Sequence, residues 1–321
     1  MPLPIEPLLG FLSDNLTRRR SVMPMSSRKT TRWAAGLDIP AGGKTVLYTG
    51  LMYQIIPALT SSEKMMSLVQ DSWMGRLFPF GRMINKFINL SSFMPPADRE
   101  EQKRYNQYLR NIVRLLRTAG VTEFGYLYGN ELYTGALVRD LGVDDTFERH
   151  AYKVHKMLEK QGVKRVITVD PHTTDMLKNV YPKLVPGYSL EVKSYLEVLR
   201  EKGVQPKNRL ESAAVIHDSC VYARYLDMIE EPRRLLEKAG VTTQDPEFSG
   251  KMTFCCGGPV ESLFPDKANK IAGRRIEQLA EAGNDIVTMC PICLHNLEKA
   301  AQGNRVSVKD ISELLLQSYG G

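Results

Sequence analysis

Five cysteines carry the chemistry that this sequence offers, and none lies before residue 220. They form three groups: Cys220, the pair Cys255-Cys256 followed by Gly257-Gly258, and Cys290-Pro291-Ile292-Cys293. An odd number of thiols argues against a disulfide framework. Their crowding into the last third argues against casual use of cysteine as a small core residue. Thiolates hold iron–sulfur clusters and also zinc, although a four-sulfur zinc site would leave one cysteine spare. The Cys-x-x-Cys pair alone also suits a thioredoxin-type redox role, which would leave three cysteines unexplained. His217 precedes the first group and His295 follows the last. Each could donate a hydrogen bond to a metal centre or move a proton, or be satisfied by backbone groups near the sheet edge. His172, His150 and His155 have no thiolate neighbours in sequence, and the last two are expected on the surface of one amphipathic helix. Asp218 could cap the helix after it or handle protons, and capping is the expected role.

For three distant groups to meet, the chain must bring them to one place, and its pattern supplies the means. Val215–Ile216, Met252–Phe254 and Ile286–Met289 read as short buried strands, each ending just before a cysteine group, with a helix starting near Leu294. In an open parallel sheet the carboxyl ends of neighbouring strands converge on one crevice. Amides at a helix N-terminus favour thiolate there, and Gly257 and Gly258 let the backbone approach closely.

The chain also repeats itself. Val46–Tyr53 matches Val215–Tyr222, Leu115–Val121 matches Leu235–Val241, and Tyr126–Gly129 matches Phe254–Gly257. Val166–Pro171 matches Ile286–Pro291, and Val192, Lys193 and Glu197 fall against Val308, Lys309 and Glu313. Blocks recurring in one order imply two related units. Helical periodicity between the strands, with Gly120, Gly162, Gly240 and Gly283 as stops, implies an α/β fold of two pseudo-repeated Rossmann-like domains with mostly parallel sheets. The expected division is an N-terminal arm over 1–43, a first domain over 44–205 and a second over 206–321. A short helix around Ile5–Leu16 and an anchoring role for Trp33 are expected in the arm. The first domain carries a helical insertion, about 61–106, rich in Met, Phe and Trp with interspersed Lys and Arg. It reads as a cap on its own domain, a docking face for a partner subunit, or a peripheral membrane contact.

Bulk properties fit a globular protein. The 321 residues carry a net charge of +7, with 43% hydrophobic and 25% charged residues. The basic residues are scattered apart from Arg18-Arg19-Arg20, and no nucleic-acid-binding signature accompanies them. No apolar run is long enough to span a bilayer. No secretory leader is recognisable, so a cytoplasmic protein is expected. No glycine-rich phosphate loop follows a first strand, so a nucleotide site is not indicated.

The Cys…Cys-Cys-Gly…Cys-x-x-Cys arrangement resembles the cysteine-rich CCG domain of the B-type subunits of heterodisulfide reductase. That domain occurs also in the D-type form, in glycolate and lactate oxidase iron–sulfur subunits, and in some succinate dehydrogenase subunits. The resemblance runs from Lys44 to near the end, and Trp33–Leu37 looks like the family's linker after a ferredoxin-like domain. It implies that Cys220, Cys255, Cys256, Cys290 and Cys293 hold one noncubane [4Fe-4S] cluster. The first copy departs from the pattern, with Leu51, Leu127, Tyr128, Asp170 and Thr173 at the matching positions. Leu and Tyr do not replace thiolate, so the first domain is expected to hold no cluster. One cluster rather than two is similar to the bacterial sulfur-oxidising heterodisulfide-reductase-like complex. The resemblance then implies thiol, disulfide or sulfur redox chemistry, a ferredoxin-like C-type subunit and a flavin-containing A-type subunit as partners, and a lipoate-binding protein as sulfur carrier. The alternative is a non-catalytic electron relay, or a zinc-stabilised scaffold, in a succinate, glycolate or lactate dehydrogenase-type complex.

Overall fold

The computed structural model describes residues 5–70, 83–85, 89, 97–258, 260–261 and 263–320, with only the backbone of 62–70. Two four-stranded sheets, every pairing parallel, organise the chain. The first contains β1 (Thr45–Tyr48), β2 (Gly125–Tyr126), β3 (Arg165–Thr168) and β4 (Glu191–Ser194) in the order β2-β1-β3-β4. The second contains β5 (Ser212–His217), β6 (Val241–Gln244), β7 (Asp285–Thr288) and β8 (Ser307–Asp310) in the equivalent order β6-β5-β7-β8. The expected α/β architecture of two Rossmann-like units is therefore present. In register, Leu47 lies against Ile167 and Val215 against Ile286.

Both faces of each sheet are covered, which explains the continuous apolar strands. The pleat sends neighbouring residues to opposite sides. Leu47, Ile167, Ile216 and Val287 enter a single core shared by the two halves. Val46 and Val166 face a second core, on the outer side of the first sheet, with Phe147 and Val154. Val215 and Ile286 face a third, with Ile276 and Leu279.

The halves pair with approximate two-fold reciprocity. The helix Ile311–Tyr319 packs on Arg99–Thr118, and its counterpart Tyr195–Glu201 packs on Glu230–Lys238. Likewise Pro291–Ala301 packs on Met52–Gln70, and Pro171–Asp175 packs on Cys220–Tyr225. The last helix of each half opens with the same capping box, Ser194 with Glu197 and Asp310 with Glu313. The cleft ends of both sheets therefore face one seam.

In the arm, a helix runs over Ile5–Arg19 and buries Leu8, Leu12 and Leu16. Trp33 is buried edge-on against Tyr126, ring centroids 4.8 Å apart, and its indole N–H donates to the Tyr126 hydroxyl at 3.3 Å. Most of the expected insertion, including Trp73, Phe78, Phe80, Phe87, Phe93 and Met94, lies outside the described residues. Among those described there, Met83 and Ile84 are exposed and Asn85 is buried. None of the helices among the described residues is long and apolar enough to cross a membrane.

Two expected elements are corrected. Met252–Phe254 is not a strand: the sheet partner of β5 is Val241–Gln244, and a short 3-10 turn covers Gly250–Met252. The mostly polar sequence of β6 suits an edge strand, which need not be apolar on both faces. The helix expected near Leu294 begins at Pro291, because proline at the first helical position sacrifices no hydrogen bond.

Candidate metal centre

Cys220 opens the helix that follows β5, Cys255 and Cys256 lie on the loop after Gly250–Met252, Cys290 caps the helix after β7, and Cys293 stands in that helix's first turn. β5 and β7 are neighbours, so their carboxyl ends bring these groups together. The thiols are neighbours in an unbroken row: Cys220 beside Cys255, Cys255 beside Cys256, Cys256 beside Cys293, and Cys293 beside Cys290. The Gly257 amide also donates to the Cys255 sulfur at 3.3 Å. Cys256, Cys290 and Cys293 are buried, while Cys220 and Cys255 form the partly exposed edge.

The crowding splits the acidities. The hydrogen bond from Cys220, then that from Cys256, holds the Cys255 thiol far below its usual range. For Cys290, burial opposes charge, but hydrogen bonds from Cys293 and His172 outweigh it and lower the thiol. Cys220 is raised, chiefly by its bond to Cys255, and Cys293 by its bond to Cys256. Five adjacent thiols cannot all ionise without a cation, which is the condition a thiolate-bound metal meets.

His217, the last residue of β5, is 1% exposed. One of its ring nitrogens and the sulfurs of Cys256 and Cys293 all lie within 4.8 Å of one another. Its Nδ1 accepts from the Nε–H of Arg275 at 3.2 Å, whereas Nε2 has no hydrogen-bond partner among the described residues. Burial, with repulsion from Arg275 second, pushes its pKa down to about 3. A neutral ring whose Nδ1 accepts carries its proton on Nε2. Arg275 is wholly buried and also donates to the Phe248 carbonyl at 2.9 Å. Sequence reading missed it, because an arginine inside an amphipathic helix looks like solvated surface.

Asp218 does not cap the next helix, whose preceding residue Ser219 makes no side-chain cap bond. Its carboxylate instead holds the Arg233 guanidinium through two bonds of 2.7 and 2.8 Å and accepts from the Gly250 amide at 2.7 Å. The Thr253 hydroxyl donates to the Asp218 carbonyl at 3.0 Å. These bonds tie the loop bearing Cys255 and Cys256 to the end of β5.

His295 lies with Nδ1 3.4 Å from the Thr60 hydroxyl and 3.7 Å from Glu101, and with Nε2 3.5 Å from Glu261. It is thus bracketed by carboxylates, while His217 is the histidine grouped with the sulfurs. His150 and His155 are buried rather than on the surface. His150 is seated 2.6 Å from the Tyr133 carbonyl, and His155 lies against the Tyr188 ring at 5.3 Å. The apolar stripe of Asp144–Lys160 is wide enough to take them in.

The first half reaches the sulfurs through His172, which lies beside Cys290 and whose Nδ1 is 3.5 Å from the Asp140 carboxylate. Burial opposes charge on this ring, but both partners raise its pKa well above the ordinary value. At the first half's own strand ends no thiol is present. There Asp170 accepts from the Thr173 amide at 2.9 Å, and burial pushes its pKa up to about 6. A Cβ on Gly50 would fall 2.0 Å from the Thr173 hydroxyl. The Glu131 carboxylate fills the end of β1, accepting from the amides of Thr49 and Gly50, the Thr49 hydroxyl and the Tyr126 hydroxyl. Thr49 and Gly50 match Asp218 and Ser219, the residues beside Cys220.

A doubly wound protein with five convergent cysteines at the rim of one sheet is the class that this geometry defines. Residues 214–298 match the family described as the CCG cysteine-rich domain. The second half therefore carries a CCG cysteine-rich domain. The chain is 33% identical over 223 residues to the probable iron-sulfur-binding oxidoreductase FadF of Bacillus subtilis, covering 66% of this chain and 31% of that protein. It is 32% identical over 230 residues to the EtfAB:quinone oxidoreductase of Syntrophomonas wolfei, covering 66% of this chain and 32% of that one. To the D-type subunit of the dihydromethanophenazine:CoB--CoM heterodisulfide reductase of Methanosarcina acetivorans it is 25% identical over 221 residues, covering 64% and 54%. The chain spans about a third of the length of the first two relatives.

Proposed function

We propose that this chain is an iron–sulfur oxidoreductase subunit in which Cys220, Cys255, Cys256, Cys290 and Cys293 hold one noncubane [4Fe-4S] cluster, the first half holding none. The observation that carries the reading is the unbroken chain of five sulfurs at the carboxyl ends of β5 and β7. A purely structural zinc site would use four of them. The fit has further support from the buried His217 ring, which has a nitrogen beside two of the sulfurs and leaves Nε2 without a hydrogen-bond partner among the described residues. Gly258 adds to it, since even a Cβ there would lie 3.5 Å from the Cys256 sulfur. When bound, such a cluster supplies a one-electron store with iron open to sulfur ligands.

The chain's own residues then have separable tasks. The partly exposed Cys220–Cys255 edge is where a thiol or disulfide substrate approaches. His217 sets a ring nitrogen beside two of the sulfurs, and Arg275 fixes the tautomer of the ring. The activity is thiol, disulfide or sulfur-compound redox chemistry. It is carried out with a ferredoxin-like C-type and a flavin-containing A-type subunit, the sulfur delivered on a lipoate-binding protein, in the cytoplasm or at the membrane edge. A second reading, electron passage to a quinone without a sulfur substrate, is supported by the similarity to the EtfAB:quinone oxidoreductase.

The test is metal and acid-labile sulfide analysis of anaerobically purified chain. Iron with sulfide is expected in the wild type and much less in Cys256→Ala. Zinc without visible absorption, or unchanged iron in the variant, would overturn the assignment. An electron paramagnetic resonance signal altered by added thiol or disulfide supports the sulfur reading over electron passage alone.

A further inference from the structure

The first half contains no cysteine, yet one of its side chains reaches the sulfur site. His172 occupies the place in Asp170-Pro171-His172-Thr173 that Ile292 occupies in Cys290-Pro291-Ile292-Cys293. A packing role at that place is met by an apolar side chain, and Ile292 packs against all three cores. An imidazole that is 6% exposed instead needs polar partners. It lies between two that can accept, the Cys290 sulfur across the seam and the Asp140 carboxylate, 3.5 Å from Nδ1. The helix Pro171–Asp175 that bears it is held in place against the helix Cys220–Tyr225, which itself begins with a member of the sulfur cluster. The ring's aim therefore comes from both halves together.

We propose that His172 is a positioning residue for the metal centre, which donates a hydrogen bond to the Cys290 sulfur and thereby raises the reduction potential of the bound cluster, with Asp140 orienting the ring. A donor on a ligand sulfur draws electron density from the metal–thiolate unit and favours the more negative, reduced state. The first half, lacking ligands of its own, thus sets the potential of the site in the second. This inference rests on the iron–sulfur reading above.

The test is a redox titration of the anaerobically purified full chain, followed by electron paramagnetic resonance, with iron and sulfide measured on the same samples. His172→Leu is expected to make reduction at least tenfold less favourable, a downward shift of about 59 mV for one electron. His172→Gln, which keeps an N–H donor, is expected to recover most of that shift. Asp140→Asn, which leaves the ring in place without its carboxylate, is expected to shift the potential in the same direction by less. Wild-type potential in a His172→Leu protein with full iron content overturns the inference and leaves the ligand assignment standing. Should His172→Leu lose its iron, Asp140→Asn decides: a downward shift supports the inference, and an unchanged potential overturns it. A wild-type chain without iron and sulfide overturns both.

Discussion

The Tyr53 hydroxyl of the first half donates to the Asp310 carboxylate of the second at 2.8 Å, and both residues are fully buried. The counterpart of this bond joins Tyr222 and Ser194, also at 2.8 Å, with the direction of crossing reversed. In each case a tyrosine from the first helix of one half meets the capping residue of the other half's last helix. Tyr53→Phe is expected to cost about 1.5–3 kcal/mol, because the acceptor is a carboxylate, and Tyr222→Phe about 1 kcal/mol. Urea denaturation of the two variants measures this, and equal losses would contradict the proposed difference.

The Asp218–Arg233 pair makes a second prediction. It is buried and doubly bonded, and it anchors the loop that brings in Cys255 and Cys256. Arg233 keeps a second carboxylate, Asp245 at 2.5 Å, so Asp218→Ala removes charged hydrogen bonds without stranding the guanidinium and is expected to lower stability by about 1.5–3 kcal/mol. Iron content should fall along with stability. An Asp218→Ala protein with wild-type stability and iron would show that the anchor is dispensable.

Gly257 and Gly258 should differ in how substitution harms them. Gly257 has a positive φ of 85°, and an added Cβ would meet the Ala268 carbonyl oxygen at 2.6 Å. At Gly258 the added atom would meet the Ile292 side chain at 2.6 Å, which can shift where a helix backbone cannot. Gly257→Ala is expected to lose the metal and at least about 1–2 kcal/mol from backbone conformation alone. Gly258→Ala should be milder on both counts, and the reverse order in iron content would refute this.

Stability should also depend on pH through Glu131, whose carboxyl burial pushes up to about 7 despite four accepted bonds. A carboxyl with a raised folded pKa favours the folded state most when protonated. Its contribution is full below the unfolded value and is lost as pH rises through about 7. The loss is on the order of 3 kcal/mol between about pH 4.5 and 7. Glu131→Gln should be less stable overall, because its amide cannot accept what the carboxylate accepts, but its denaturation midpoint should vary less over that window. An undiminished slope in the variant would assign the pH dependence elsewhere.

His217 and Arg275 give the last prediction. His217→Leu leaves a buried guanidinium nitrogen without its acceptor and is expected to cost about 1.5–3 kcal/mol in the metal-free chain. His217→Gln can accept from Arg275 with its oxygen and present its amide to the sulfurs, and should recover much of that loss. Equal losses in the two variants, read from urea midpoints, would show that the Arg275 contact contributes nothing.

Much of this was legible from residue order. The repeated blocks mark β1 with β5, β3 with β7 and β4 with β8, because buried parallel strands are written as short apolar runs whatever surrounds them. The cysteines were legible because thiols are scarce and because Cys220 and Cys290 follow neighbouring parallel strands, whereas Cys255 and Cys256 are brought in by a loop that follows no strand directly. β6 escaped because Val241-Thr242-Thr243-Gln244 reads as loop and becomes a strand only by pairing with β5. Asp218 escaped because a carboxylate before a helix has a local role available, and the guanidinium that claims it comes from another helix. His172 escaped for a deeper reason. Its partner Cys290 belongs to the other half, and the way the halves meet is written in neither of them.

Glu131 leaves a consequence for anyone wishing to rebuild a symmetric ancestor. The amide pocket at the end of β1 is already plugged by the chain's own carboxylate. Grafting thiols at 51, 127, 128, 170 and 173 would therefore set a new anion in competition with a resident one. Only an accompanying replacement of Glu131 by a small neutral residue would vacate the seat.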